Sequence, residues 1–369
     1  MERISNYQLY VLTVLYQIGT TIVFGFGAVA GRDAWISVLI SSSVGLIIML
    51  LYTLLMRMNP GLTLVEWWRA QFGKWIGTPI AWAYTLLILY EVGRGVGDLK
   101  FLIPITILPK TPIFIVLIVF MIVLIYGAFA GIEVIARLGE IVFPVILFLF
   151  PIEIILIFGS HIMNIQHLQP IAGKGWSQIL EAVWPVGITQ SFGESIELAM
   201  IWPLVSQPEK IIRTTLLATI TSGLFIAIFD AIAVATLGGA IFENSIYPMY
   251  TLIQQISLGE FVDNLDAIEV LYFLTTIFFK ISIHMFAVVR AIQKLTLVKN
   301  SRVFILPVSA IALYLGMTMS SNILVHIETS LKMIQYNLFV PLFIILPSIL
   351  FVVTLIRGKY RKNEKYLKS

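Results

Sequence analysis

Residues 181–204, EAVWPVGITQSFGESIELAMIWPL, place polar and helix-breaking residues at the centre of a stretch that is apolar at both ends. In the hydrocarbon of a bilayer, a backbone N–H or C=O group without a hydrogen-bond partner costs several kcal/mol. A span with such a centre requires a function, and we predict an opened helix that forms a ligand site. The residues that interrupt the stretch are Pro185, Gly187, Thr189, Gln190, Ser191, Gly193, Glu194 and Glu197.

A second interruption, Gly19-Thr20-Thr21, lies within the first apolar run of the chain. An opened helix exposes backbone N–H groups, which suit a carboxylate, and backbone carbonyls, which suit an ammonium group. Two breaks that face each other would therefore bind a small amino acid, and neighbouring Thr, Ser and Gln side chains would add neutral hydrogen bonds. The predicted ligand contacts are Gly19, Thr20, Thr21, Tyr90, Glu91, Gly187, Ile188, Thr189, Gln190 and Ser191.

The third apolar run carries Glu91, Arg94 and Asp98. Spacings of three and four residues put their side chains on one face of a helix. Ionisable residues inside a membrane are candidates for function. Two interpretations remain open: an ion-pair ladder that holds the helix in the bundle, or binding of a charged ligand by Glu91 or Arg94.

Lys280 and His284 lie four residues apart on the eighth apolar run. A lysine near the middle of the membrane must be neutral or paired with a carboxylate. A structural salt bridge to Glu91 or Glu194 is one possibility, and a functional role is the other. Glu194 also completes the pattern Ser-x-x-Glu with Ser191, so we predict that it caps a new half-helix or, alternatively, belongs to a proton or water path.

The composition is that of a membrane protein that crosses the bilayer many times. Of the 369 residues, 59% are hydrophobic and 12% are charged, whereas soluble domains carry about 25% charged residues. The chain has no cysteine, which excludes disulfides and thiolate chemistry. It also lacks phosphate-binding loops and nucleophile motifs, so we predict no enzyme, no cofactor and no metal site. Its basic residues lie mainly in short loops and the tail, which argues against nucleic-acid binding.

Apolar runs of roughly 20 residues predict ten spans in a single domain, residues 1–369. Most Lys and Arg residues fall on the side that holds the N-terminus, which predicts that both termini are cytoplasmic. The basic tail 357–369 either fixes this topology or binds lipid. The predicted spans are 7–30, 34–57, 77–103, 112–130, 137–159, 181–204, 213–238, 267–289, 303–320 and 333–356.

Ten spans divide into five and five, and each half then begins with an interrupted helix. This arrangement is typical of transporters built from inverted repeats, here about 1–160 and 175–357. The loop segments 62–77 and 250–262 support the division, since both are amphipathic with a glycine and an aromatic residue near the end. The alternative is that they are two unrelated interfacial helices.

The chain resembles the B subunit of bacterial spore germination receptors, the spore permease family of the amino acid–polyamine–organocation superfamily. The resemblance runs along the whole chain and rests on several segments together. It implies an all-α membrane protein with ten transmembrane helices, a LeuT-like 5+5 inverted repeat and broken helices 1 and 6. The segments are ISNYQLYVLTVLYQIGT (4–20), EVGRGVGDLKFLIPITILPKTP (91–112), ARLGEIVFPVI (136–146) and SQPEKIIRTT (206–215).

The resemblance also implies a function. We expect a subunit in the spore inner membrane that senses a small amino acid or a similar germinant and signals to an A-type membrane subunit and a C-type lipoprotein subunit. Because some members of the superfamily bind a coupling sodium between spans one and eight, Lys280 would stand in for that ion, with Arg94 and Glu194 as further coupling candidates. A proton-coupled amino-acid transporter using Glu91, Glu194 or Lys280 is the alternative, and a purely structural scaffold is a third.

Overall fold

The computed structural model describes residues 3–256 and 266–367, with side chains for 3–256 and 270–358. Within these residues the chain is helical apart from short connections and one isolated bridge between Ile4 and Val205. The α-helices are α1 (Asn6–Ile18), α2 (Thr21–Phe24), α3 (Ala34–Met58), α4 (Leu64–Thr106), α5 (Ile113–Ala130), α6 (Ile132–Gly159), α7 (Trp176–Ala182), α8 (Ile211–Leu237), α9 (Gly239–Asn244), α10 (Pro248–Ile253), α11 (Asp266–Thr296), α12 (Ile305–Thr318), α13 (Ile323–Glu328) and α14 (Leu346–Leu367).

Shorter helical segments complete the bundle and concentrate in the sixth and tenth predicted spans. The 3-10 segments are Ala28–Asp33, Ile165–Leu168, Gly193–Met200, Trp202–Leu204, Pro208–Lys210 and Ser301–Phe304, and the π-helical segments are Val183–Gly187, Thr329–Met333 and Gln335–Ile345.

Nine helical stretches in the described part of the chain are long and apolar enough to cross a membrane. They correspond to nine of the ten predicted spans. The predicted sixth span, 181–204, is divided instead among the end of α7, a π-helical turn and two 3-10 segments. The number ten and the inverted repeat therefore stay predictions.

The two sides of the bundle are identified by contacts between loops. Ile4 N–H donates to the Leu204 carbonyl at 3.1 Å, so the start of the chain and the end of the sixth segment share one side, here called the N-terminal face. On the opposite side, here called the far face, Lys174 pairs with Glu243 at 2.7 Å. The far face also holds the segment Ala28–Asp33 between α2 and α3.

The segment predicted as a loop at 58–76 is largely helical. α4 begins at Leu64 with a capping box in which Thr63 and Glu66 exchange hydrogen bonds, and it bends at Gly73, whose φ of +76° lies in the left-handed region that favours glycine. The predicted interfacial helix is thus the first part of a 43-residue helix. Its proposed counterpart, 250–262, contains the end of α10, and its residues 257–262 lie outside the described residues.

The first helix is interrupted at the predicted place. α1 ends at Ile18, Gly19 has φ +29° and ψ −113°, and a new short helix begins at Thr21. A Cβ atom on Gly19 would lie 2.6 Å from Lys280 Cδ and 2.8 Å from the Tyr16 carbonyl oxygen. Residues with a Cβ atom are therefore disfavoured at this position for two reasons: the positive φ and the close approach of α11.

Substitution of Gly19 with alanine is expected to destabilise the protein by about 2–5 kcal/mol, because backbone strain and overpacking add. The matched control is Gly61→Ala, since Gly61 also has a positive φ (+76°) but a Cβ there would meet nothing within 4 Å. Thermal unfolding of the purified variants in detergent measures the difference. Equal melting temperatures for the two variants would contradict the packing argument.

Candidate functional site

Four parts of the bundle meet around the first break: α1, α4, α11 and the 3-10 segment Gly193–Met200. The Tyr16 hydroxyl donates to the Glu194 carbonyl at 3.1 Å, which joins α1 to the 3-10 segment. On the other side of the break, Thr276 Oγ1 donates to the Gly19 carbonyl at 2.9 Å, which joins α11 to the break itself. The Gly19 carbonyl has no hydrogen-bond partner within the interrupted helix. The Thr276 side chain of α11 supplies that partner.

A buried group of charged side chains, here called the central charged cluster, lies where these elements meet. It contains three pairs, each of which joins an acidic and a basic side chain. The pairs are Arg94 Nε with Glu91 Oε2 at 2.9 Å, Lys280 Nζ with Glu194 Oε1, and His284 Nδ1 with Glu197 Oε2 at 2.6 Å. All six residues are buried, and buried charges require such partners.

These pairs resolve several alternatives that the sequence leaves open. Lys280 forms a salt bridge to Glu194 rather than to Glu91. The prediction that Glu194 caps a half-helix is wrong. The segment begins at Gly193, its N-cap residue is Phe192 without a side-chain cap, and the Glu194 carboxylate is held by Lys280 across the bundle.

The predicted ladder on α4 is only partly present. Arg94 pairs with Glu91 within the helix, whereas Asp98 Oδ1 is bound to His326 Nε2 at 2.7 Å. His326 lies on α13, and its Nδ1 is 3.2 Å from Ser320 Oγ. A polar chain therefore ties the turn of α4 that carries Asp98 to α13, which precedes the last predicted span.

Carboxylate oxygens in the cluster retain hydrogen-bonding capacity. Glu91 Oε1, Glu194 Oε2 and Glu197 Oε1 are buried and have no hydrogen-bond partner among the described residues. Single ligand atoms of Glu91, Glu194 and His284 lie within 4.8 Å of one another, close enough to hold a cation. A cation there would compete with the Lys280 ammonium group, which already occupies Glu194.

The two breaks touch each other directly. Thr21 Oγ1 and Ser191 Oγ are hydrogen-bonded at 2.7 Å, and both residues are buried. The cavity between them, lined also by Gly187, has a volume of about 10 Å³. The breaks are therefore closed against each other in this conformation.

The remaining predicted contact residues divide into two groups. Thr189 and Gln190 contact the Gln335 side chain of the last span, with Gln335 Nε2 at 2.6 Å from Gln190 Oε1. When the Gln190 amide oxygen is turned toward α4, it accepts from Arg94 Nη1 at 2.6 Å. Among the others, Thr20 and Ile188 are buried, and Tyr90 is half-buried on α4.

A larger cavity opens toward the far face. Its volume is about 240 Å³ and its floor includes Arg94 and Asp98. Much of its wall is formed by apolar side chains of the segment after the first break and of α13. The lining residues used below are Phe24, Phe26, Arg94, Asp98, Glu243, Leu324, His326 and Ile327.

Sequence reasoning missed Gln335 and His326. Each is a polar residue in or beside an apolar run, which is a signal of function or pairing inside a membrane. Neither lies within a helix-breaking pattern, and each meets its partner across more than 140 residues of sequence. The Glu197–His284 contact was likewise not assigned.

Comparison of the fold with solved structures assigns the class of protein. The structure of Mhp1, a nucleobase-cation-symport-1 family transporter in a closed conformation with bromovinylhydantoin bound, superposes with a TM-score of 0.73 at 12% identity, over 95% of this chain and 78% of that chain. The molecule is thus an integral membrane protein whose helical fold is similar to that of this transporter, which confirms the predicted all-α, LeuT-like fold class. The count of ten helices, the 5+5 repeat and the pair of broken helices stay predictions.

The family follows from the sequence comparisons. The family model for spore germination proteins, the spore permease family, matches residues 3–324, and the chain belongs to this family. Spore germination protein KB of Bacillus subtilis (strain 168) is 29% identical over 363 residues, which cover 98% of this chain and 97% of that protein. Spore germination protein XB of Bacillus anthracis is 24% identical over 272 residues, 72% of this chain and 73% of that protein. The predicted family is confirmed.

Proposed function

We propose that the protein senses a nutrient germinant, binds a small amino acid between the two breaks and signals to an A-type membrane subunit and a C-type lipoprotein subunit in the spore inner membrane, with both termini cytoplasmic. The family assignment supports a germination role. The observation that carries the ligand proposal is the buried Thr21–Ser191 hydrogen bond, which joins the breaks at 2.7 Å. The proposed contacts are those predicted from the sequence: Gly19, Thr20, Thr21, Tyr90, Glu91, Gly187, Ile188, Thr189, Gln190 and Ser191.

The proposed signal is separation of the breaks. With about 10 Å³ of space between them, a bound amino acid must replace the Thr21–Ser191 contact with its own hydrogen bonds. Ligand shifts a conformational equilibrium when it binds one state better than the other. The closed breaks are the resting state in this proposal, and the opened breaks are the signalling state.

The double variant Thr21→Val/Ser191→Ala is expected to raise the amino-acid concentration for half-maximal germination about fivefold. Two ligand hydrogen bonds and the one between the closed breaks are lost, and each contributes about 1 kcal/mol, so the net loss falls on the bound state. Spores are first tested against single amino acids, and the active one is used for the titration. The control is Thr215→Val, because Thr215 is also buried but bonds only carbonyls of its own helix turn at 2.8 and 3.1 Å. An unchanged response of the double variant would refute binding at the breaks.

The second candidate function is proton-coupled amino-acid transport. It is favoured by the central charged cluster, in which the Glu197–His284 pair at 2.6 Å can hold a transferable proton. Uptake of the labelled active amino acid into vesicles that contain the purified protein distinguishes the two functions. Concentrative uptake driven by a proton gradient supports transport, whereas binding without uptake supports sensing.

A further inference from the structure

We infer that the far-face cavity is a second subsite for the same ligand, in which the carboxylate of an amino acid binds Arg94 and its ammonium group binds Asp98 in place of His326. The inference rests on the proposed sensing function and adds to it a place where the ligand binds before the breaks open. It concerns residues that the break-centred proposal does not use for binding, namely Asp98 and His326.

The available space favours this cavity. It measures about 240 Å³, compared with about 10 Å³ between the breaks. Sites for small molecules are mostly apolar with a few convergent polar groups, and here Phe24, Phe26 and Leu324 line a cavity whose charged residues are Arg94, Asp98 and Glu243. A compact amino acid suits both the volume and this mixture of surfaces.

The carboxylate end is supplied by Arg94. Its Nε donates to Glu91 at 2.9 Å, and both Nη1, at 2.6 Å, and Nη2 reach the turned Gln190 amide oxygen. A guanidinium group has five N–H donors and stays charged, so these contacts leave donors for a ligand. The same side chain touches Gln190 of the sixth span, so a ligand on Arg94 is one side chain away from the breaks.

The ammonium end is supplied by Asp98, one helical turn further along α4. Residues four apart on a helix have Cβ atoms about 5–6 Å apart, a separation that the two charged groups of an α-amino acid bridge through hydrogen bonds. The zwitterion adds no net charge to a buried site, which limits the desolvation cost. A ligand with a single charge lacks this advantage.

Binding at Asp98 would release a contact that ties two elements together. Asp98 holds His326 of α13 at 2.7 Å, and His326 is also 3.2 Å from Ser320. An ammonium group on Asp98 competes for the carboxylate and frees α13. α13 is followed by the π-helical segments Thr329–Met333 and Gln335–Ile345, and the second of these begins with Gln335, the partner of Gln190. Occupancy of the far-face cavity is thereby coupled to the sixth span.

The chain has no cysteine, so a single introduced cysteine tests the cavity without background labelling. Ile327→Cys reports on the cavity wall, and Ile165→Cys, which is 63% exposed and outside the lining, is the matched control. The full chain in lipid vesicles is treated with an anionic, membrane-impermeant methanethiosulfonate. The probe is a millimolar mixture of the standard amino acids without cysteine. We expect the mixture to slow labelling of Ile327→Cys at least fivefold and to leave Ile165→Cys unchanged.

Chemical variants of the probe test each contact. N-acetylated amino acids, which lack the ammonium group, and methyl esters, which lack the carboxylate, are expected to slow labelling less than twofold. Asp98→Asn should remove protection by the free amino acids. His326→Leu should lower the protecting concentration at least threefold, because it removes the competitor for Asp98. Absence of protection by free amino acids, or equal protection by the N-acetylated mixture, would overturn the inference.

The break variant separates this inference from the proposed function. Protection of Ile327→Cys that persists in the Thr21→Val/Ser191→Ala background supports a separate subsite. Loss of protection there, together with its retention in Asp98→Asn, would mean that the cavity only reports on the breaks, and the subsite would be refuted while the proposed function stands. Normal germination of the break variant together with intact protection would refute the break-centred proposal and leave the subsite in place.

Discussion

Replacement of Lys280 by methionine is expected to destabilise the protein by about 3–5 kcal/mol and to abolish its ligand response, because Glu194 then remains as a buried charge without a partner. Both side chains of the pair are at most 3% exposed. Thermal unfolding in detergent and germination of spores measure the two effects. The matched control is Lys294→Met: its pair with Glu66 is 3.0 Å long but 35% and 27% exposed, and such a pair contributes about 1 kcal/mol or less.

A second substitution separates structure from coupling at this position. Lys280→Met/Glu194→Gln removes both charges and should recover most of the lost stability. We propose that Lys280, whose side-chain carbons lie against Gly19 at the first break and whose ammonium group binds Glu194, supplies the charge of a coupling ion. On this proposal the double variant folds but does not respond to ligand. A double variant with a normal response would show that the pair serves stability alone.

Replacement of Arg94 by methionine is expected to have the second largest effect, since it leaves Glu91 unpaired and removes the cation from the floor of the far-face cavity. We expect a loss of about 3–5 kcal/mol in stability and loss of the amino-acid response. Arg94→Lys should retain most of the stability but weaken the response at least tenfold, because lysine cannot bridge Glu91, Gln190 and a ligand with one planar group.

The control for Arg94 is Arg137→Met, whose pair with Glu133 has a similar spacing along its helix and a length of 2.6 Å, but its side chains are 67% and 35% exposed. This variant should differ from the parent protein by less than about 1 kcal/mol in unfolding free energy. Equal ligand responses of Arg94→Met and Arg137→Met would contradict a binding role for Arg94. Measurement of binding with the purified proteins separates that outcome from a defect in signalling.

Local chemistry explains which features the sequence could predict. The helix break at Gly19 can be predicted because a glycine followed by two threonines inside an apolar run has few structural explanations, and an opened helix is one of them. The depth of Lys280 in the membrane can be predicted by counting residues along its apolar span. The same count places Glu91 and Gln190 at a similar depth but does not make them neighbours. The structure brings all three into or next to one buried cluster.

Side-chain contacts between segments that are far apart in the sequence could not be predicted from such local patterns. The Ser-x-x-Glu pattern predicts a cap at Glu194 only if a helix begins near Ser191, but the segment starts two residues later and the carboxylate pairs with Lys280. The contact of Gln335 with Gln190 depends on how the last span packs against the sixth. Side-chain partners at such separations are decided by packing of the whole bundle and leave no local pattern.

The backbone hydrogen bonds at the start of the chain impose an order of assembly. Ile4 N–H donates to Leu204, and Ser206 N–H donates back to Ile4 at 2.9 Å. Leu204 and Ser206 follow Ile4 in the sequence by five predicted spans and are synthesised after them, so Ile4 has no partner until these spans have been made. Once formed, these two hydrogen bonds hold the first interrupted helix next to the end of the sixth segment. The proposed ligand site therefore forms late in synthesis. A chain truncated before residue 204 would insert its helices into the membrane but would not assemble this site.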